Sequence, residues 1–203
     1  VPASGPRAGG TNVTVTGAAL GGAGSHVLCR FGEELINASR VDESTLRCFA
    51  PAAPGGAPAG DLARPLAITL NGQQFTEAAA DGAFIQYEPP QISTLYPVSG
   101  PATGGETTIT VRGNGLGFGR ADDSETRRRC AFDGTDTGAA TRIETAAGAA
   151  LLCESPPALR SDAPPLGEGV PLTVSLNGQQ FSASSDFLAF APHNLTLTAP
   201  ASG

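Results

Sequence analysis

Tryptophan, methionine and lysine are absent from this 203-residue chain, and tyrosine occurs only twice. Without Trp there is no broad aromatic platform on which a sugar ring could stack. Without Lys, the 12 basic residues are all Arg, and 19 acidic residues leave a net charge of −7. That balance argues against a general nucleic-acid binder, which would need a basic face to release counterions from phosphates. No apolar run reaches the roughly 20 residues that a membrane-spanning helix needs, so no membrane insertion is expected in this segment. No Cys-x-x-Cys pair exists, and His26 and His193 have no matched partners, so a zinc site is not expected. No Ser sits in a Gly-x-Ser-x-Gly elbow. Neither an enzyme nor a bound cofactor is expected.

What the chain does have is repetition. Val1-Pro2-Ala3-Ser4-Gly5-Pro6 returns as Tyr96-Pro97-Val98-Ser99-Gly100-Pro101, and the chain closes on Ala199-Pro200-Ala201-Ser202-Gly203. Self-similarity at a long period means repeated structural units. Val13-Thr14-Val15-Thr16-Gly17 answers to Ile109-Thr110-Val111-Arg112-Gly113, and Leu20-Gly21 to Leu116-Gly117. The longest identity is Leu70-Asn71-Gly72-Gln73-Gln74-Phe75 with Leu176-Asn177-Gly178-Gln179-Gln180-Phe181. The second copy is longer, with insertions in two polar stretches, 118–129 and 135–150. Each copy is close to one small domain in size. Abundant Ala, Gly and Pro fit a GC-rich coding sequence better than a function.

Four cysteines fall at equivalent places, two per copy. The alternatives are buried free thiols or one disulfide per copy, Cys29 with Cys48 and Cys130 with Cys153. The second is favoured, because closing such a loop stabilises a small domain by about 3 kcal/mol. Disulfides imply an oxidising compartment. Three sequons agree, at Asn12, Asn37 and Asn194, with at least one expected to carry glycan. The expected location is extracellular or at the cell surface.

Short strand-like segments dominate: 12–16 and 107–111, 26–31 and 129–132, 45–49 and 150–154, 66–70 and 172–176, 83–87 and 187–190. The first pair alternates with period two, which marks strands with one buried face, and the second pair reads as short apolar strands. Asn-Gly after the fourth pair predicts a tight type I′ hairpin whose return strand begins at Gln73 or Gln179. The Pro-rich stretches 51–65 and 156–171 are expected as long surface connections. About seven short strands per hundred residues, without helical periodicity, read as an antiparallel sandwich of the immunoglobulin type.

Pro-x-Ser-Gly-Pro-x-x-Gly-Gly-Thr, then Val-x-Val-x-Gly and Leu-Gly, Cys-x-Phe-Gly, a second Cys followed by Pro, and a closing Phe-x-Tyr strand resemble the IPT/TIG domain. That is the immunoglobulin-like fold shared by plexins, scatter-factor receptors and Rel-type transcription factors. The resemblance is specific over 2–20 and 97–117, and departs where Phe132-Asp133-Gly134 replaces Phe-Gly. It implies two tandem all-β sandwiches, 1–88 and 89–192. It also implies that a first strand comes just before the Pro-x-Ser-Gly phrase. Residues 88–95 supply it for the second sandwich, whereas the first has none in this chain. Residues 193–203 then read as the first strand of a following module.

Other motifs carry less. Asp122, Asp123 and Glu125 are the densest acidic cluster, but lack the spacing of a calcium loop. Arg127-Arg128-Arg129 reads as an exposed run paired with them. The glycine-rich 113–119 follows a strand and opens no helix, so it is a turn. In the repeated hexapeptide, the favoured reading is structural: Asn-Gly turns, Leu and Phe enter the core, and the two Gln fill a strand. The other reading makes it a polar tip that meets a partner at regular intervals.

Asn194-Leu195-Thr196-Leu197-Thr198 alternates as a strand should and holds the place that Gln91-Ile92-Ser93-Thr94-Leu95 holds before the second module. A sandwich one strand short exposes an edge that invites pairing. The expected function is therefore a non-enzymatic repeat unit of an extracellular fibre or cell-surface stalk. Its partners would be neighbouring copies of the same module or subunit, head to tail, with residues 193–203 completing the next unit. The alternative is a ligand-binding ectodomain of an adhesion receptor, facing a cell-surface protein or glycan. An accessory module of a carbohydrate-active enzyme is a third reading, which the lack of Trp disfavours.

Overall fold

The structure, a computed structural model, describes residues 2–22, 24, 26–79, 82–102, 107–119, 127–157, 159 and 169–191. Its elements are all strands, arranged as two immunoglobulin-like sandwiches in tandem. The first sandwich comprises β1 (Ser4–Pro6), β2 (Asn12–Thr16), β3 (Leu28–Phe31), β4 (Glu34–Asn37), β5 (Ser39–Asp42), β6 (Thr45–Phe49), β7 (Leu62–Arg64), β8 (Leu66–Thr69), β9 (Thr76–Glu77) and β10 (Phe84–Tyr87). Sheet β2-β6-β5 forms one layer, and β4-β3-β8-β9 with β1-β10-β7 forms the other.

The second sandwich comprises β11 (Gln91–Tyr96), β12 (Ser99–Pro101), β13 (Thr108–Asn114), β14 (Arg129–Phe132), β15 (Thr135–Ala139), β16 (Thr141–Thr145), β17 (Gly148–Glu154), β18 (Gly169–Ser175) and β19 (Ser185–Phe190). Its layers are β11-β13-β17-β16 and β12-β19-β18-β14-β15. Registers equate the two copies. Val13 faces Cys48 and Ile109 faces Cys153, so β2 and β13 correspond. Cys29 faces Ile68 and Cys130 faces Val174, so β8 corresponds to the end of β18.

The repeated phrase has a packing reason. Ser4-Gly5-Pro6 and Ser99-Gly100-Pro101 run parallel to the closing strands β10 and β19. A Cβ on Gly5 would lie 2.1 Å from the Thr11 hydroxyl, and one on Gly100 would lie 2.8 Å from that of Thr107. Only glycine lets the phrase seal this end of the sandwich. Behind it, Phe84 meets Phe31 edge-on at 5.5 Å, and Phe187 meets Phe132 at 6.0 Å. Each disulfide ties the two layers of its sandwich together, Cys29 to Cys48 with Cα atoms 6.4 Å apart and Cys130 to Cys153 at 5.9 Å. Their cysteines are buried.

Several expectations about detail are corrected. The hexapeptide does not make a two-residue hairpin: Ile68 pairs with Thr76, and only Gly72, not Asn71, has positive φ. Asn71 Oδ1 instead accepts the N–H groups of Gln73 and Gln74 at 3.0 and 3.1 Å, an Asx turn that opens a longer loop. Phe75 and Phe181 stay out of the core: Phe181 is 41% exposed, and Arg30 stacks over Phe75 at 4.6 Å. The stretch 51–65 contains β7 and is held down by Arg7, which donates to the carbonyls of Ala57, Pro58 and Gly60. Arg128 is buried rather than part of an exposed run. The 113–119 turn begins late, because β13 extends through Asn114.

Candidate assembly surfaces

The two sandwiches differ at one edge, that of β2 and of its equivalent β13. In the second, β11 lies along β13, and its bulge between Ile92 and Thr94 lets Ile92 and Leu95 both pack on the core. In the first, β2 pairs with β6 on one side, and no strand among the described residues pairs with its other edge. Burial records the gap. Val111 and Val174 are fully buried, while their equivalents Val15 and Ile68 are only partly covered. A hollow of about 320 Å³ opens beside them, lined by Val15, Leu20, Leu66 and Ile68.

Gly17 and Gly113 sharpen the comparison. A Cβ on Gly113 would lie 1.8 Å from the Gln91 carbonyl oxygen, so β11 can approach only a glycine. A Cβ on Gly17 would meet nothing nearer than Leu20 at 3.5 Å. Gly17 is not at positive φ either. Among the described residues, neither sterics nor backbone conformation demands glycine there.

A second surface joins the sandwiches. The hexapeptide loop of the second sandwich lies against the start of the first. The Gln179 side chain accepts the Asn12 N–H at 2.8 Å and donates to the Asn12 carbonyl at 3.0 Å. Asn177 donates from Nδ2 to Gln180 Oε1 at 2.6 Å, with Ser4 O and Thr11 Oγ1 each 3.4 Å away. Thr11 donates its hydroxyl to Gln180 Oε1 at 3.1 Å. Asn177, Thr11 and Ser4 are 2%, 0% and 1% exposed. Tyr87, closing the first sandwich, packs into the core of the second. Gln179 and Gln180 are thus joint residues rather than strand filler. The exact repetition of a polar Asn-Gly-Gln-Gln was the available signal, since a turn requires Asn and Gly but not two glutamines.

Of the sequons, Asn37 is exposed at the end of β4. Asn12 lies under the Gln179 contact, with Oδ1 enclosed and lacking a hydrogen-bond partner. Asn194 and residues 194–198, the expected assembly strand, lie outside the described residues, as do Asp122, Asp123 and Glu125. Among the described residues, no three His, Cys, Asp or Glu side chains converge as a metal site. Among the described residues, no helix is long and apolar enough to cross a membrane.

The sequence model of the IPT/TIG domain matches residues 1–80 and again 90–189. Among solved structures, the chain is similar to one described as the plexin A4 full extracellular region, domains 1 to 10. Identity is 25% and the TM-score 0.56, over 88% of this chain and 14% of that one. A second structure of the plexin A4 full extracellular region, domains 1 to 8, aligns at 17% identity and a TM-score of 0.53. It covers 94% of this chain and 17% of the other, and speaks to the fold alone. The chain therefore spans less than a fifth of either relative. No curated protein matches the chain. The paired matches fall one on each sandwich: the chain belongs to the IPT/TIG family.

Proposed function

We propose that the chain is a non-enzymatic, two-module building block of the extracellular part of a fibre or cell-surface stalk. Units join head to tail, and the open edge of β2 receives a first strand from the preceding unit. Residues 193–203 supply that strand to the following unit. The observation that carries this reading is Gly17: a glycine stands where the second sandwich needs one for β11 to approach, beside an edge that no described strand covers. Leu195 and Leu197 are two apart, so a regular strand places them on one face, where they can serve as Ile92 and Leu95 do. Burying two such side chains contributes roughly 1.5–3 kcal/mol each, before ordering costs. The two disulfides and the likeness to an extracellular region support a location outside the cell, with Asn37 the best-placed glycan acceptor.

The likeness to plexin A4 favours a second reading, a ligand-binding ectodomain of a cell-surface receptor. Electron microscopy of the full chain and of a chain lacking residues 193–203 separates the two. The building-block reading expects linear assemblies from the first and their loss from the second. Assemblies that survive the deletion, or a full chain that never assembles, contradict it.

A further inference from the structure

The joint inside this chain has two halves, and each half recurs in the other sandwich without such a contact among the described residues. The tip half is Asn177-Gly178-Gln179-Gln180, and its twin Asn71-Gly72-Gln73-Gln74 is exposed. The twin is already folded for docking. Asn71 Oδ1 holds the N–H groups of Gln73 and Gln74 as Asn177 Oδ1 holds those of Gln179 and Gln180. Asn71 donates to Gln74 Oε1 as Asn177 does to Gln180 Oε1. Thr69 Oγ1 accepts the Gly72 N–H at 3.0 Å, and Ser175 Oγ accepts that of Gly178 at 2.9 Å. A loop organised in its bound shape loses little entropy on binding.

The receiving half is Ser4, Thr11 and Asn12. Register and packing equate these with Ser99, Thr107 and Thr108 in the second sandwich. There Ser99 and Thr107 are half-buried and Thr108 is exposed. β11 pairs with β13 no further than Thr110, so the edge at Thr108 lies beyond it. Exposed Val98 and Leu188, at 58% and 40%, flank Ser99.

We infer that the Asn71–Gln74 tip of one copy of this chain docks on the Ser99, Thr107 and Thr108 surface of another, repeating the internal joint. Gln73 takes the N–H and C=O of Thr108, and Asn71 and Gln74 take the Thr107 hydroxyl and the Ser99 carbonyl. The contact is heterologous, so it propagates rather than closing as a two-fold dimer. It rests on the head-to-tail reading for its choice of partner, but it uses different residues from the strand exchange. Polar contacts of this kind fix register and orientation, while the strand supplies buried area.

Directional NMR tests it. Dilute 15N-labelled full chain is mixed with excess unlabelled chain carrying Gln73→Ala and Gln74→Ala. The labelled Gln73 and Gln74 side-chain amides are expected to shift, because their receiving surface is intact on the added copies. The labelled Thr108 amide is expected to stay in place, and to shift only when wild-type chain is added. No shift at either end, or a Thr108 shift indifferent to the two substitutions, overturns the proposal. The same titration with chains lacking residues 193–203 separates the two contacts. Strand exchange failing alone abolishes shifts along β2, whereas the tip failing alone leaves those and loses the Gln73 and Thr108 responses.

Discussion

Gln179 grips Asn12 by both backbone groups, taking its N–H at 2.8 Å and giving to its carbonyl at 3.0 Å. One side-chain amide of the second sandwich thereby does for the first residue of β2 what a neighbouring strand does for a whole edge. The joint between modules and the open edge are consequently one continuous surface.

Asn177 and Asn71 hold identical turns, but only Asn177 is buried in the joint. Asn177→Ala is expected to cost about 2–3 kcal/mol, since it strands buried polar partners, and Asn71→Ala about 1 kcal/mol. Urea unfolding of the two variants measures the difference. Small-angle scattering of the Asn177 variant is expected to report a broadened distribution of module orientations.

The two glycines of the Val-x-Val-x-Gly pattern are expected to respond oppositely. Gly113→Ala forces a methyl group into the Gln91 carbonyl, and neither backbone can yield cheaply. A loss of about 3 kcal/mol or more in the second sandwich follows. Gly17→Ala meets only ordinary contact with Leu20, so monomer stability is expected to change by less than about 1 kcal/mol. Thermal melts of both variants check this, and the Gly17 variant should fail in assembly alone.

Each disulfide closes a loop of moderate length, 19 residues apart for Cys29 and Cys48 and 23 for Cys130 and Cys153. Replacing either pair by Ala is expected to destabilise its own sandwich by about 3 kcal/mol. Calorimetry should show the altered module melting earlier while the other holds.

The exposed Asp42 carboxylate accepts the Ser44 N–H at 2.7 Å and the Ser44 hydroxyl at 2.8 Å. Those bonds, the backbone one first, hold its pKa below the ordinary carboxylate value. A depressed pKa means that its contribution is complete above the unfolded-state value and is lost as pH falls through the folded-state value. The Ser44 amide is therefore expected to lose hydrogen-exchange protection on acidification below the usual carboxylate range. In Asp42→Asn, that pH dependence should vanish.

The sandwiches were legible because their cores obey a simple period. Val13 and Val15, Leu46 and Cys48, and Phe84 and Gln86 alternate with outward residues, and the cysteines mark facing layers. The outer strands were not legible. Glu34–Asn37 and Ser39–Asp42 bury almost nothing, so no apolar pattern announces them. Ser4–Pro6 is a strand because its glycine admits Thr11, a tertiary reason invisible locally. The open edge follows from the order of motifs, whereas the joint is marked in the sequence only by the repeated Gln-Gln pair, because glutamine carries no spacing signature. Its recognition of a backbone depends on where the preceding sandwich lies.

The most direct measurement is hydrogen exchange at Thr16 in a chain lacking residues 193–203, with and without a peptide of those residues. Strand alternation puts the Thr16 backbone on the same edge as that of Asn12, facing the open slot. Strand addition is expected to slow its exchange at least tenfold and to raise the melting temperature of the first sandwich. The Gly17→Ala variant should show neither effect. An exchange rate at Thr16 that does not change at saturating peptide would contradict the account.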